Sequence, residues 1–375
     1  MNYISKIFTL SQVVLYDAFA RTNSRVNIDS GLRDAAGWLC RAQDSTPDGG
    51  VSEGYHLKHG WLPSYPETTG YIIETFFDCS YLFNDPSLRD RALRMVDWLI
   101  SIQYEDGSIP DSYFKKKMVF DTGQVLFGFV RAFEETREQR YLDAAVKAGS
   151  WLVDVQEQNG TWQKHAVGEI PHSYYTRVAW SLIDLYKNTG DEQYRESCKK
   201  NIEWALAQQL QNGWFKHASF TKAKHTHPFT HTIAYTIRGI LESGMYLKNE
   251  EFIDAACKAI ESILSVIPEN GGIYGSFNKN WQGNPRFSCL TGNAQLGIIF
   301  FKLYQLTNKE QYLDAGRKIN NYMLSKQVKR IKNKNISGAI AGSSPIWGEY
   351  IHFMYPNWAA KFFIDSLLFE KKIIA

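Results

Sequence analysis

A chain of 375 residues with 44% hydrophobic and 22% charged residues has the composition of an ordinary globular protein. Its net charge of +3 is too small to argue for a nucleic-acid partner, and five cysteines (Cys40, Cys79, Cys198, Cys257, Cys289) without Cys-x-x-Cys spacing speak against a disulfide framework or a structural zinc site. The unusual figure is an aromatic content of 14%, which invites an account beyond core packing.

Residues 1–24 read as an extension, and residues 25–375 as a single domain. The first twenty residues hold one lysine and an apolar run broken by Gln12 and Asp17, a poor signal peptide that is too short to span a bilayer. A cytoplasmic location and no stable membrane insertion are expected, with residues 7–20 as the amphipathic stretch available for peripheral contact.

Six turns then punctuate the chain: Asp48-Gly49-Gly50, Asp106-Gly107, Asn159-Gly160, Asn212-Gly213, Asn270-Gly271-Gly272 and Ser337-Gly338. Their separation, roughly 50–70 residues, holds two helices and two connections. The helix before each turn is apolar on one side, as at Ala92, Met95, Val96, Leu99 and Ile100; the helix after it is apolar nearly all round, as at Val178, Ala179, Trp180, Leu182 and Ile183. Six enclosed helices ringed by six half-exposed ones define an all-α fold, an (α/α)6 barrel or toroid. An open superhelix is the competitor, but its units normally run about 34–47 residues. The enclosed helices are expected to begin near Pro66, Asp121, His172, Pro228, Leu290 and Tyr355, so the long loops and the positive ends of six helix dipoles converge on one funnel.

The funnel entries supply the candidates in chain order. Trp61, Tyr65, Glu67 and Tyr71 belong to the first; Asp121, read as the N-cap, and Gln124 to the second. His172, Tyr174, Tyr175 and Arg177 lie within two turns of the third, and Trp214 lies in the loop before the fourth, where His231 and Tyr235 are four apart on one face. The fifth contributes Asn293, the sixth Trp347, Glu349, Tyr355 and Asn357. Two acids on adjacent hairpins, Glu67 and Asp121, suit glycosidic hydrolysis, in which one protonates the leaving oxygen and the other activates water or attacks carbon. Rings beside them suit stacking on pyranose faces. The set His225, His227, His231 matches no strong zinc signature and has no acidic fourth ligand, so neither metal nor cofactor is expected.

Tyr65-Pro66-Glu67-Thr68-Thr69-Gly70-Tyr71 and His172-Ser173-Tyr174-Tyr175-Thr176-Arg177-Val178-Ala179-Trp180 resemble segments of bacterial envelope-polysaccharide biosynthesis proteins within the six-hairpin glycosidase-like superfamily, a resemblance that runs from about residue 25 onward. It implies an oligo- or polysaccharide substrate and the machinery of capsule or exopolysaccharide synthesis as a partner. His172-Ser173-Tyr174 is also similar to the Asn-His-x-Tyr segment of toroidal alginate lyases, with Pro171 in place of the asparagine that neutralises the uronate there. Trp98 to Gln103 and Trp151 to Gln156 resemble terpene cyclases and protein prenyltransferases, but the chain lacks an Asp-x-Asp-Asp motif and the prenyltransferase zinc set. Three functions are therefore expected, in this order: a glycoside hydrolase-like enzyme using Glu67 and Asp121 with Glu349 in reserve; a polysaccharide lyase or uronate C5-epimerase using His172, Tyr175, Arg177, His231 and Tyr235; and a glycan-binding assembly protein without turnover.

Overall fold

The computed structural model describes residues 27–221, 226–329 and 331–374. The extension, the amphipathic stretch within it and His225 lie outside these residues. Twelve α-helices alternate between an outer and an inner layer among the described residues. The outer ones are α1 (Ile28–Asp44), α3 (Pro86–Ile102), α5 (Gln139–Asp154), α7 (Glu192–Leu206), α9 (Glu250–Leu264) and α11 (Glu310–Lys326). The inner ones are α2 (Pro66–Phe83), α4 (Val119–Thr136), α6 (Thr176–Thr189), α8 (Thr230–Leu247), α10 (Leu290–Thr307) and α12 (Asn357–Ile374).

Each inner helix packs on the next, and α12 packs back on α2, so the inner ring is closed. The fold is the (α/α)6 toroid. Its inner-to-outer links are two residues long, and chemistry explains how they turn so sharply. Asn84 ends α2 in the left-handed conformation at φ 51°, and Asp85 then caps α3 by accepting from the Ser87 amide at 3.0 Å. Gly190-Asp191 and Lys248-Asn249 repeat the device.

The outer layer is stitched by glutamine. Gln43, Gln103, Gln156, Gln209 and Gln327 each donate Nε2 to the carbonyl of the following turn glycine and to a carbonyl in the next outer helix, at 2.8 to 3.3 Å. The last of these joins α11 to Gly31 of α1 and closes the ring. The turn glycines are needed twice over: Gly107 holds φ +93°, and a Cβ there would collide with the Lys147 carbonyl of α5.

Two small sheets tie the long loops together. Strand β1 (Gly54–His56) pairs with β2 (Gly60–Trp61) and with β5 (Met354–Pro356), and β3 (Ser288–Cys289) pairs with β4 (Ser343–Ser344). Several expected helix starts are corrected by these elements. Tyr355 is in β5, one residue before Pro356 and two before α12 begins at Asn357; Thr230 rather than Pro228 opens α8. Residues 173–175 form a 3-10 turn, and α6 proper starts at Thr176. Asp121 is not an N-cap. The cap position is Met118, because the Thr122 hydroxyl accepts the Ile109 amide at 2.9 Å and bonds the Met118 carbonyl at 2.7 Å, which fixes the helix start two residues earlier. No described helix is long and apolar enough to cross a membrane.

Candidate active site

Glycines draw the inner helices together at the amino-terminal end of the barrel. A Cβ on Gly70 would stand 2.5 Å from the Val125 Cα, and one on Gly292 2.6 Å from the His231 amide nitrogen. Backbones that close bring first-turn side chains from different hairpins within reach of one another. Glu67 of α2, Asp121 and Gln124 of α4, Arg177 of α6 and His231 and Tyr235 of α8 all gather there.

Glu67 lies at the centre. The Tyr65 phenol donates to its Oε2 at 2.5 Å. Burial pushes the carboxyl up to about 7 against the pull of that bond and of Arg177, while the nearby Glu53 raises it further. Asp121 is buried, and its carboxyl is held well above the usual carboxylate range by burial first and by the Glu67 charge second. The Glu67 charge raises Asp121, so ionisation of the first opposes ionisation of the second.

Arg177 is 1% exposed, and its guanidinium stands between 4.9 and 5.6 Å from the ring centroids of Tyr71, Phe127, Trp180, Tyr235 and Phe362. Its Nε donates to Gln124 Oε1 at 2.6 Å. Burial lowers its proton affinity, but a guanidinium stays charged at any working pH. A second glutamine does the same for His231: Nδ1 meets Gln295 Oε1 at 2.8 Å. With that amide oriented so, Nδ1 carries the proton and Nε2 keeps its lone pair. Burial brings the imidazole down to about 3, opposed by the Gln295 bond and aided by the Arg177 charge, so it is neutral. Gln124 Nε2, Gln295 Nε2 and Arg177 Nη1 are buried donors with no hydrogen-bond partner among the described residues, a concentration of unspent donors around one axis.

Aromatic rings form the wall. Phe120 lies 5.3 to 5.6 Å from Tyr174, Tyr175 and Tyr235, His231 lies 4.3 Å from Tyr235 with the rings tilted by 54°, and Tyr350 approaches His231 at 5.3 Å. Burial raises the Tyr71, Tyr174, Tyr175 and Tyr235 phenols, which therefore stay neutral.

Other sequence candidates are placed elsewhere. His172 is clamped between backbone carbonyls, Nδ1 on Ser219 at 2.9 Å and Nε2 on Val167 at 2.8 Å, and the Val167 amide donates to the Tyr175 hydroxyl at 3.1 Å. Asn293 uses its amide on Ile273, Ser288 and Cys289, the fastening role that Thr69 and Thr122 perform in earlier hairpins. Asn357 Nδ2 bonds Ser52 and Thr68, and Tyr355 pairs with Tyr55 across the sheet. Trp61 packs on Trp38 and Tyr55, Trp214 is buried, Trp347 is 44% exposed, and Glu349 is exposed with Asn284 on its Oε1. Glu53, absent from the sequence candidates, belongs to the site by its charge on Glu67. It sits in a loop three residues beyond Gly50, where no spacing marks it. Cys289 is fully buried and its thiol is pushed up to about 12 by burial, which excludes a thiolate. No cluster of three or more His, Cys, Asp or Glu side chains is arranged to hold a metal among the described residues.

Solved structures match the chain along nearly its whole length, and three of them serve as examples. An unsaturated glucuronyl hydrolase specific for heparin superposes with a TM-score of 0.75 at 14% identity, covering 92% of this chain and 97% of that one. The unsaturated glucuronyl hydrolase of Bacillus sp. GL1, responsible for the degradation of glycosaminoglycan, gives 0.75 at 14% over 91% and 96%, and cellobiose 2-epimerase from Bacillus thermoamylovorans B4167 gives 0.73 at 11% over 92% and 98%. Identities this low establish the shared toroid and nothing finer. No curated protein matches in sequence. Residues 64–265 match the family model for the β-L-arabinofuranosidase GH127 catalytic domain, more than half of the chain and all of the stretch that carries Glu67, Asp121, Arg177 and His231. The protein is thus a six-hairpin glycosidase-like toroid and belongs to the β-L-arabinofuranosidase GH127 catalytic domain family.

Proposed function

We propose that the protein is a glycoside hydrolase acting on an oligo- or polysaccharide of the bacterial capsule or exopolysaccharide, with Glu67 and Asp121 as its working pair. The observation that carries this reading is the unequal support given to two coupled carboxyls on neighbouring inner helices. Glu67 receives the Tyr65 hydrogen bond and the field of Arg177, both of which favour its ionised form. Asp121 has neither and is the more deeply buried, so of the two it is the one that holds its proton more tightly. Asp121 then protonates the leaving glycosidic oxygen, and Glu67 activates water or attacks the anomeric carbon. Phe120, Tyr174 and Tyr235 present ring faces and neutral phenols to the sugar, and Gln124 and Gln295 offer amide donors to its hydroxyls.

Glu67→Gln and Asp121→Asn, assayed for new reducing ends on arabinofuranosyl and glucuronyl oligosaccharides, test the assignment. Each is expected to lose at least about a hundredfold in kcat/KM while keeping a wild-type circular dichroism spectrum. Full activity in both would remove it. A second reading, proton exchange at sugar carbon by an epimerase or lyase, draws on one arrangement: His231, neutral with Nε2 unprotonated, lies 4.3 Å from the Tyr235 ring, and the Arg177 guanidinium lies 4.9 Å from that same ring. Solvent deuterium incorporation without cleavage, or an unsaturated product absorbing in the near ultraviolet, would favour it. Glycan affinity with neither turnover nor exchange would favour the assembly role.

A further inference from the structure

The inner helices surround a cavity of about 190 Å³, lined mainly from their middle and carboxyl-terminal parts and by Arg177 from the first turn of α6. Seven cationic and five acidic side chains line it. Most of the cations are accounted for locally. Glu242 takes Arg238 Nε at 3.2 Å and Lys302 at 2.9 Å, Asp365 takes Lys361 at 2.5 Å, and Asp78 takes Arg131 at 2.8 Å. Lysines in the last turns also answer the negative ends of the helix dipoles.

Neither explanation covers Arg177, or the far side of Arg238. Arg177 is the second residue of α6 and Arg238 lies in the middle of α8, so no helix carboxyl end accounts for them. Among the described residues Arg177 makes no ion pair; its Nε bond goes to a neutral amide, and Glu74 of the same lining acts on it only at longer range. Both guanidiniums are more than nine-tenths buried, both present an Nη1 without a hydrogen-bond partner, and both face the same Trp180 ring, at 5.2 and 4.9 Å. Two buried like charges sharing one aromatic face repel each other, and each leaves donors unsatisfied. An anion between them resolves both defects.

We propose that this axial cavity is a binding site for a small tetrahedral oxyanion, inorganic phosphate or sulfate, held between the Nη1 groups of Arg177 and Arg238. Forked guanidinium donors suit that shape. The volume sets the size of the ligand: pockets for drug-sized molecules run to roughly 300–1,000 Å³, and this one is smaller. Arg177 is common to the two sites: its Nε bonds Gln124 at the funnel, and the residue also lines this cavity. The assignment stands whichever glycan chemistry the funnel performs.

The full chain is titrated calorimetrically with sodium phosphate and sodium sulfate, with sodium chloride at matched ionic strength as the control, beside Arg238→Met and Arg238→Lys. Saturable binding of one oxyanion per chain is expected in the wild type, at least tenfold weaker in Arg238→Met. Arg238→Lys keeps the charge while losing the fork; it guards against misfolding of the methionine variant and is expected to bind several-fold more weakly. Crystals soaked in selenate are expected to show an anomalous peak between the two guanidiniums. Heats indistinguishable from chloride, unchanged affinity in both variants, or selenate bound only elsewhere would each overturn the site. A hexose monophosphate binding more tightly than phosphate would overturn the free-ion assignment.

Discussion

Tyr65 and Glu67, two residues apart across the start of α2, form a 2.5 Å hydrogen bond in which the phenol donates to the carboxylate. Pro66 between them sits at the first helical position, so the backbone bends where the bond forms. The bond favours the ionised carboxylate and opposes the burial that raises it. Tyr65→Phe therefore pushes Glu67 above about 7. A charge-assisted bond of roughly 1.5–3 kcal/mol corresponds to at least about one pH unit. The acidic limb of the pH dependence of kcat/KM is expected to move up by that amount, with activity at pH 6 down about tenfold. An unmoved limb would mean that Glu67 does not set it.

The same burial makes stability depend on pH. Glu67 and Asp121 are raised above their unfolded values, so the folded chain binds protons more tightly than the unfolded one. The stability linked to these carboxyls is fully present below about pH 4, and the part due to Glu67 is lost as pH rises through about 7. Glu67→Gln and Asp121→Asn should accordingly melt higher than wild type at pH 8, by about 2 °C or more, with the gap closing near pH 4. Calorimetric scans at the two pH values decide this. Amide variants less stable than wild type at pH 8 would show that the carboxylates are well compensated.

How much of this was legible in the chain follows from the range of each interaction. The turn glycines and the glutamines before them are local signals, and both do local work, so the hairpins and their order were readable. The convergence of Glu67, Asp121, Arg177 and His231 was readable only through the toroid, because residues more than fifty positions apart meet when the ring closes. Asp121 as a cap failed for a different reason. A threonine one position later binds a loop amide thirteen residues back, and no helix-start rule encodes that. The basal charges were hidden because Arg238 and Glu242, or Lys361 and Asp365, read at i and i+4 as ordinary solvated pairs.

Gln327 is one of several contacts that join the last hairpin to the first. Its Nε2 spans Gly31 and Gly338, the only stitch of this type that joins the last hairpin to the first among the described residues. Gln327→Ala leaves two buried carbonyls without this donor, at about 1–3 kcal/mol. Hydrogen exchange is expected to rise in α1 and in residues 328–342 together, ahead of the rest of the barrel. Gln103→Ala, inside the ring, removes the same bonds but should open only its own turn. Equal and local effects would mean that the seam is no weaker than any other joint.

Gly239 tests whether helix approach positions the site. Alanine is the better helix former by about 1 kcal/mol, so propensity alone predicts stabilisation. A Cβ at Gly239, however, would meet the Thr176 backbone and stand 2.6 Å from the Arg177 amide nitrogen, where no rotamer can relieve the clash. Gly239→Ala should force α6 and α8 apart, cost roughly 1–3 kcal/mol and lower kcat/KM by displacing Arg177. A variant more stable than wild type and equally active would deny the close approach a role.

His231 and Glu67 make different claims on the pH profile, and that difference separates the two chemical readings. His231 is neutral from about pH 3 upward, because burial outweighs its bond to Gln295. It contributes no titration near its usual 6.5, so any limb near 7 belongs to the carboxyl pair. His231→Gln should lower kcat through the lost contact with Tyr235 and Gln295 yet leave both limbs where they are, within about 0.3 pH unit. If the limb near 7 vanishes in His231→Gln and persists in Tyr65→Phe unchanged, the imidazole is the titrating base. Proton exchange at carbon would then replace glycosidic cleavage as the reaction this barrel is built to perform.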